Sequence, residues 1–135
     1  MPSWVLEGSL ARSCRPGYSG EGGAPVSADA VQRWMAKVRA LGIRSIICLL
    51  GPDQLPLYLA LGISLPEFYR RSGFEVEHIP VADHRRPPLT ADQLAALWRA
   101  YQRLPKPVLV HCSAGVDRTG AAIAEIRDRL NAERQ

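Results

Sequence analysis

The stretch VLVHCSAGVDRTG, from Val108 to Gly120, decides how the rest of the chain is read. Pro107 to His111 reads as a short final strand, apolar from Val108 to Val110, that runs into Cys112. Ser113, Ala114 and Gly115 are small enough for a tight loop, and a helix starts near Arg118. A loop of small residues lets successive backbone N–H groups point inward, making a concave nest for an anion. The helix adds the positive end of its dipole and its unpaired N–H groups at the same place. Arg118 brings a planar fork that holds two phosphate oxygens at once, which a lysine cannot do.

Positive surroundings of this kind favour a thiolate over a thiol. The pattern therefore predicts Cys112 as a nucleophile beneath a bound phosphate. Arg118 is the expected clamp, and Ser113, Ala114, Gly115, Val116 and Asp117 form the expected binding loop. Thr119 is placed to donate its hydroxyl to the sulfur, and His111 to steady the loop through its ring nitrogens. Asp117 is open to two roles, bonding backbone or holding a neighbouring arginine.

Outward from this segment, helix and strand patterns alternate. Trp4–Leu6 and Ser9–Arg12 read as short strands about a turn at Gly8. Arg15 to Val26, dense in glycine and proline, reads as an exposed loop. Ser27 caps a predicted helix carrying Val31, Trp34, Val38 and Leu41 on one face. Ile43 to Leu50 reads as a central strand. Asp53 to Ser72 reads as two short helices broken around Gly62 and Pro66, and Phe74 to Pro80 as another strand. Thr90 and Gln93 form a predicted capping box that opens a helix through Leu94, Leu97, Trp98 and Tyr101. The expectation is a single domain over residues 1–135: an α/β, three-layer fold with a central, mostly parallel sheet flanked by helices. Ligands of such sheets bind beyond the carboxyl ends of the strands, where Cys112 falls.

Composition narrows the function. The 135 residues are 47% hydrophobic, with a net charge of +4. Such a balance suits an anionic substrate, but there is no basic-aromatic stripe, so nucleic acid is not an expected partner. No segment has the roughly 18 apolar residues of a membrane span, and no signal-peptide pattern precedes Arg15, so a cytoplasmic protein is expected. Three cysteines without CxxC spacing and three scattered histidines predict neither a disulfide framework nor a metal site. Cys48, in an apolar strand, is a core candidate. Cys14 is a candidate resolving thiol for an oxidised Cys112. Trp34 and Trp98 belong to the core, while Arg12, Arg15 and Tyr18 either line the pocket rim or form plain surface.

HCSAGVDRTG resembles the His-Cys-x5-Arg-Ser/Thr signature of the protein tyrosine phosphatase superfamily, and the short chain is similar to its dual-specificity branch. His111, Cys112, Gly115, Arg118 and Thr119 carry the match. The resemblance implies a phosphomonoester hydrolase that forms phosphocysteine, needs no cofactor, and acts on phosphorylated protein or another phosphomonoester. It also implies a general-acid aspartate about thirty residues before the cysteine. Asp83, 112 − 83 = 29 residues upstream on the loop Val81–Pro88, is the candidate, and Asp92 is its rival. An Asp just before the Arg, as at Asp117, also occurs in some phosphoinositide phosphatases resembling this superfamily and in some bacterial phosphatases of broad specificity, and the resembling family includes an RNA 5′-triphosphatase variant. Phosphoinositide or RNA 5′-phosphate hydrolysis is an alternative, and a phosphate-binding pseudophosphatase is another. Arg85 and Arg86 would attract further acidic groups or be solvated. Ile123, Ile126 and Leu130 need cover from earlier elements or from a second copy in a homodimer.

Overall fold

The computed structural model describes residues 2–19 and 23–134. Five strands, β1 (Ser3–Leu6), β2 (Leu10–Ser13), β3 (Ser45–Cys48), β4 (Glu75–His78) and β5 (Val108–His111), form one sheet in the order β1-β2-β5-β3-β4. β2, β5, β3 and β4 run parallel, and β1 is antiparallel to β2. The register pairs Ser13 with His111 and Cys48 with His111, so three strand ends lie level where β5 gives way to the loop.

Four α-helices cover the sheet: α1 (Ala28–Ala40), α2 (Leu65–Arg71), α3 (Ala91–Arg103) and α4 (Asp117–Glu133). The segment Leu55–Leu61, expected as the first of two short helices, is a 3-10 helix. Side chains alternate between faces along β5, and the core divides accordingly. Leu109 packs with Trp34, Met35, Val38 and Tyr69 of α1 and α2. Val108 and Val110 pack with Leu97, Trp98, Ile123 and Ile126 of α3 and α4. The mostly parallel, three-layer architecture expected from sequence is the one observed. Ile123 and Ile126 are covered within the chain, with Leu130 packed at the edge of the same cluster. No helix among the described residues is long and apolar enough to cross a membrane.

One expectation is corrected. The segment from Arg15 to Val26 is not simply exposed: Arg15 is 2% and Val26 5% accessible, and Pro16 is buried. Positions 20–22 of that expected loop lie outside the described residues. The buried part packs because Arg15 finds hydrogen-bond partners in the interior, as a desolvated guanidinium must.

Candidate active site

After His111 the chain leaves the sheet, passes through Cys112 to Val116 and enters α4 at Asp117. Three carbonyls of this loop are occupied from outside it. The oxygen of Cys112 accepts from His111 Nδ1 at 3.0 Å, that of Ser113 from the backbone N–H of Arg15 at 2.8 Å, and that of Gly115 from Arg12 Nη2 at 2.7 Å. In a planar trans peptide the C=O and the following N–H point opposite ways. Turning these carbonyls outward directs the N–H groups of 113, 114 and 116 inward. α4 begins without a side-chain cap, so its first N–H groups add to the same concavity. The loop has the shape of a cradle that can hold an anion.

β2 and its extension brace this cradle. Arg15 Nε donates to Ser113 Oγ at 3.1 Å, and its Nη1 donates to the hydroxyl of Tyr58, which in turn donates to the carbonyl of Pro16 at 2.7 Å. Gly115 has φ +79°, and a Cβ there would lie 2.7 Å from the Ser13 carbonyl oxygen. A side chain at 115 would therefore push the loop off β2 and strain its own backbone. Of the three rim candidates, Arg12 and Arg15 are braces behind the loop, while Tyr18 lines the hollow in front of it.

Beneath the loop sits an aromatic cluster. His111 Nδ1 donates to the Cys112 carbonyl, so its Nε2 accepts from the Tyr69 hydroxyl at 2.9 Å. Burial, reinforced by the Arg118 charge, lowers the His111 pKa to about 4, which keeps this neutral tautomer. Trp34 stacks on Tyr69 at 5.6 Å and meets His111 edge-on, and its N–H reaches Ser13 Oγ and the Cys14 carbonyl, both at 3.1 Å. The expected support of the loop by His111 thus has a geometric basis. The expected bond from Thr119 to sulfur does not: Thr119 Oγ1 is buried without a partner among the described residues. Burial pushes the Cys48 thiol up to about 12, and it sits inert in the core. Cys14 lines a neighbouring hollow with Arg33 and Lys37 and is not among the residues lining that of Cys112.

The opposite wall carries Arg118 and Asp83. Arg118, 2% accessible, donates through Nη1 to the carbonyls of Leu49 (3.3 Å) and Val81 (2.8 Å) and to Gln54 Oε1 (3.3 Å). The ends of β3 and β4 thereby hold the guanidinium level with the loop. Asp83 Oδ2 lies 3.4 Å from Arg118 Nη2, and its Oδ1 accepts from the His84 N–H at 3.0 Å. Asp83, Tyr18, Cys112, Ala114, Asp117 and Arg118 share one open hollow of about 300 Å³, which His84, Ser113 and Val116 also line. Asp92 sits exposed in the first turn of α3 and does not line it. Asp117 faces the hollow and a smaller neighbouring one with Arg85 and Arg86. Among the described residues no three His, Cys, Asp or Glu side chains are gathered to hold a metal ion. Gln54 was not singled out from sequence, because its importance depends on a turn that folds it back toward Arg118.

Residues 21–129 match the family described as polymorphic toxin system, DSP-PTPase phosphatase. No curated protein sequence matches the chain. In structure the chain is similar to the core catalytic domain of the PP-IP phosphatase SIW14 from S. cerevisiae, with TM-score 0.63 and 22% identity, covering 96% of this chain and 66% of that one. It is also similar to a putative phosphatase (DUF442) from Shewanella putrefaciens CN-32, with TM-score 0.62 and 17% identity, covering 92% and 68%. At these identities the two likenesses show a common fold. The family model spans most of the sequence: the chain belongs to the DSP-PTPase phosphatases of polymorphic toxin systems.

Proposed function

We propose that the protein hydrolyses phosphomonoesters through a phosphocysteine intermediate on Cys112, with protein phosphotyrosine the leading substrate class and phosphoserine and phosphothreonine also admitted. One observation carries the reading: the Cys112 loop, the uncapped start of α4, Arg118 and Asp83 face a single hollow. A phosphate there would take up the inward N–H groups and the Arg118 guanidinium, which stabilise charge on its equatorial oxygens. The Cys112 sulfur attacks phosphorus as the bond to the leaving oxygen breaks, and Asp83 gives that oxygen a proton. Water then attacks phosphocysteine, Asp83 takes the water's proton, and the S–P bond breaks to return the thiolate and free phosphate. His111 holds the loop in shape throughout. Every charge in this scheme is met by protein groups, so the reading needs no cofactor. The chemistry requires reduced thiols, which suits a cytoplasmic site of action.

A second reading has its own support. Arg33 and Lys37 line the hollow behind Tyr18, and Arg85 and Arg86 line the one beside Asp117. Cations on two flanks suit a substrate with several phosphates, and the structural neighbour SIW14 is described as a PP-IP phosphatase.

A substrate panel in EDTA tests both. It should contain phosphotyrosine and phosphoserine peptides, phosphoinositides, an inositol pyrophosphate and 5′-triphosphorylated RNA, each with wild type and Cys112→Ser. Turnover that survives Cys112→Ser removes the phosphocysteine route. Tight binding without turnover of any substrate identifies a pseudophosphatase. The rank of kcat/KM decides between phosphoprotein and polyphosphate. Asp83→Asn should lower kcat by about 10²–10⁴-fold, the usual contribution of a placed acid.

A further inference from the structure

The acid loop and the arginine are joined through a residue that neither the signature nor the acid-loop pattern includes. Gln54 lies at the end of the turn by which the chain leaves β3, with its N–H donating to the Gly51 carbonyl at 3.2 Å. Its side chain folds back over that turn: Oε1 accepts from the Gly51 N–H at 3.2 Å and from Arg118 Nη1 at 3.3 Å, while Nε2 donates to Asp83 Oδ2 at 3.5 Å. The turn also touches the stem of the acid loop directly. A Cβ on Gly51 would come within 2.8 Å of the Val81 carbonyl oxygen, the same oxygen that accepts from Arg118. Asp83 otherwise contacts His84, its neighbour on the same loop, and Arg118.

We propose that Gln54 is a positioning residue that ties the Arg118 guanidinium and the Asp83 carboxyl into one unit, setting where the proton is delivered relative to the bound phosphate. The inference rests on the assignment of Asp83 as general acid. The residue type fits the task. A primary amide offers an acceptor to the cation and a donor to the carboxylate, and carries no charge of its own. Glutamate here would repel Asp83, and lysine would repel Arg118. The 3.3 and 3.5 Å separations are long for hydrogen bonds, as is usual before substrate tightens a site. When phosphate draws the outer N–H groups of Arg118 forward, Gln54 is placed to bring Asp83 along with them.

The test uses leaving groups. A nitrophenyl phosphate leaves readily without protonation, whereas an alkyl phosphate or a phosphoserine peptide needs the acid. Gln54→Leu should lower kcat by about tenfold on the poor leaving group, a fraction of what the acid itself supplies, and by much less on the nitrophenyl ester. Gln54→Glu, which keeps an acceptor for Arg118 but replaces the donor to Asp83 with a repelling charge, should show the same leaving-group dependence. In an Asp83→Asn background, Gln54→Leu should add no further loss, because residues acting as a unit are not additive. Equal losses on both substrates that add fully to those of Asp83→Asn would mark Gln54 as merely structural and overturn the proposal. So would a Gln54→Leu enzyme that matches wild type. Cys112→Ser and Asp83→Asn run alongside. If the first stays active, or the second shows no leaving-group dependence, the underlying site assignment fails whatever Gln54 does.

Discussion

The helices α3 and α4 begin in opposite ways. α3 is closed by a reciprocal box: Thr90 Oγ1 accepts from the Gln93 N–H at 3.1 Å, and Gln93 Oε1 accepts from the Thr90 N–H at 2.9 Å. α1 and α2 are likewise capped by the side chains of Ser27 and Ser64. α4 follows Val116, which offers no side-chain acceptor, and its first turn opens onto the hollow with Cys112. A filled cap supports the fold, whereas a vacant one leaves N–H groups for something that comes and goes. The two helix starts separate stability from chemistry within one chain.

That separation is open to experiment. The largest effect should come at the open end. Arg118→Lys keeps a positive charge but removes the planar fork, and kcat/KM on an aryl phosphate should fall by about 10²–10³-fold. A loss under tenfold would show that charge alone suffices at this helix start.

Next in size is the acid response of the support beneath the loop. His111 binds its proton at about 4 when folded and at 6.5 when unfolded. The unfolded chain therefore holds more protons between those values, so the contribution is complete above pH 6.5 and drains away as pH falls toward 4. The full span is about 3 kcal/mol, and His111→Gln should flatten this part of the curve. Chemical denaturation at pH 7 and pH 4.5 measures it, and an unchanged slope in the variant would clear His111 of the effect.

Thr90→Ala should cost about 1 kcal/mol of stability by thermal or urea unfolding and leave kcat untouched. Any loss of turnover there would blur the division between closed and open helix starts. The smallest stability change is expected at Thr119, whose buried hydroxyl has no partner among the described residues. Thr119→Val should leave stability within about 0.5 kcal/mol, since no hydrogen bond is broken. A several-fold loss of kcat in the same variant would indicate that the hydroxyl serves the reacting sulfur rather than the fold.

What the sequence disclosed follows from how local each feature is. The cradle was legible because strand, small-residue loop and helix lie in one run from Val108 to Gly120, where each residue type has a backbone reason for its place. The α3 box was legible for the same reason, with Thr90 and Gln93 three apart. Asp83 needed the family resemblance to be picked out, since an aspartate on a polar loop has many uses. Arg15 was misjudged because glycines and prolines around it signal a turn and say nothing of what the turn packs on. Its partners, Ser113 and Tyr58, lie 98 and 43 residues away. Gln54 escaped for the same reason, its amide reaching Asp83 and Arg118 at separations of 29 and 64.

The braces from Arg12 and Arg15 have one more consequence. They join the loop at separations of 103 and 98 residues, so the carbonyls of Gly115 and Ser113 are turned outward only after β2 has docked beside β5. Such distant pairings are late and slow to form in a folding chain. A nascent or half-folded molecule can hold Cys112 and Arg118 in sequence and still lack the ring of amides between them. The seat for an anion would then be missing, and it would appear only with the finished sheet.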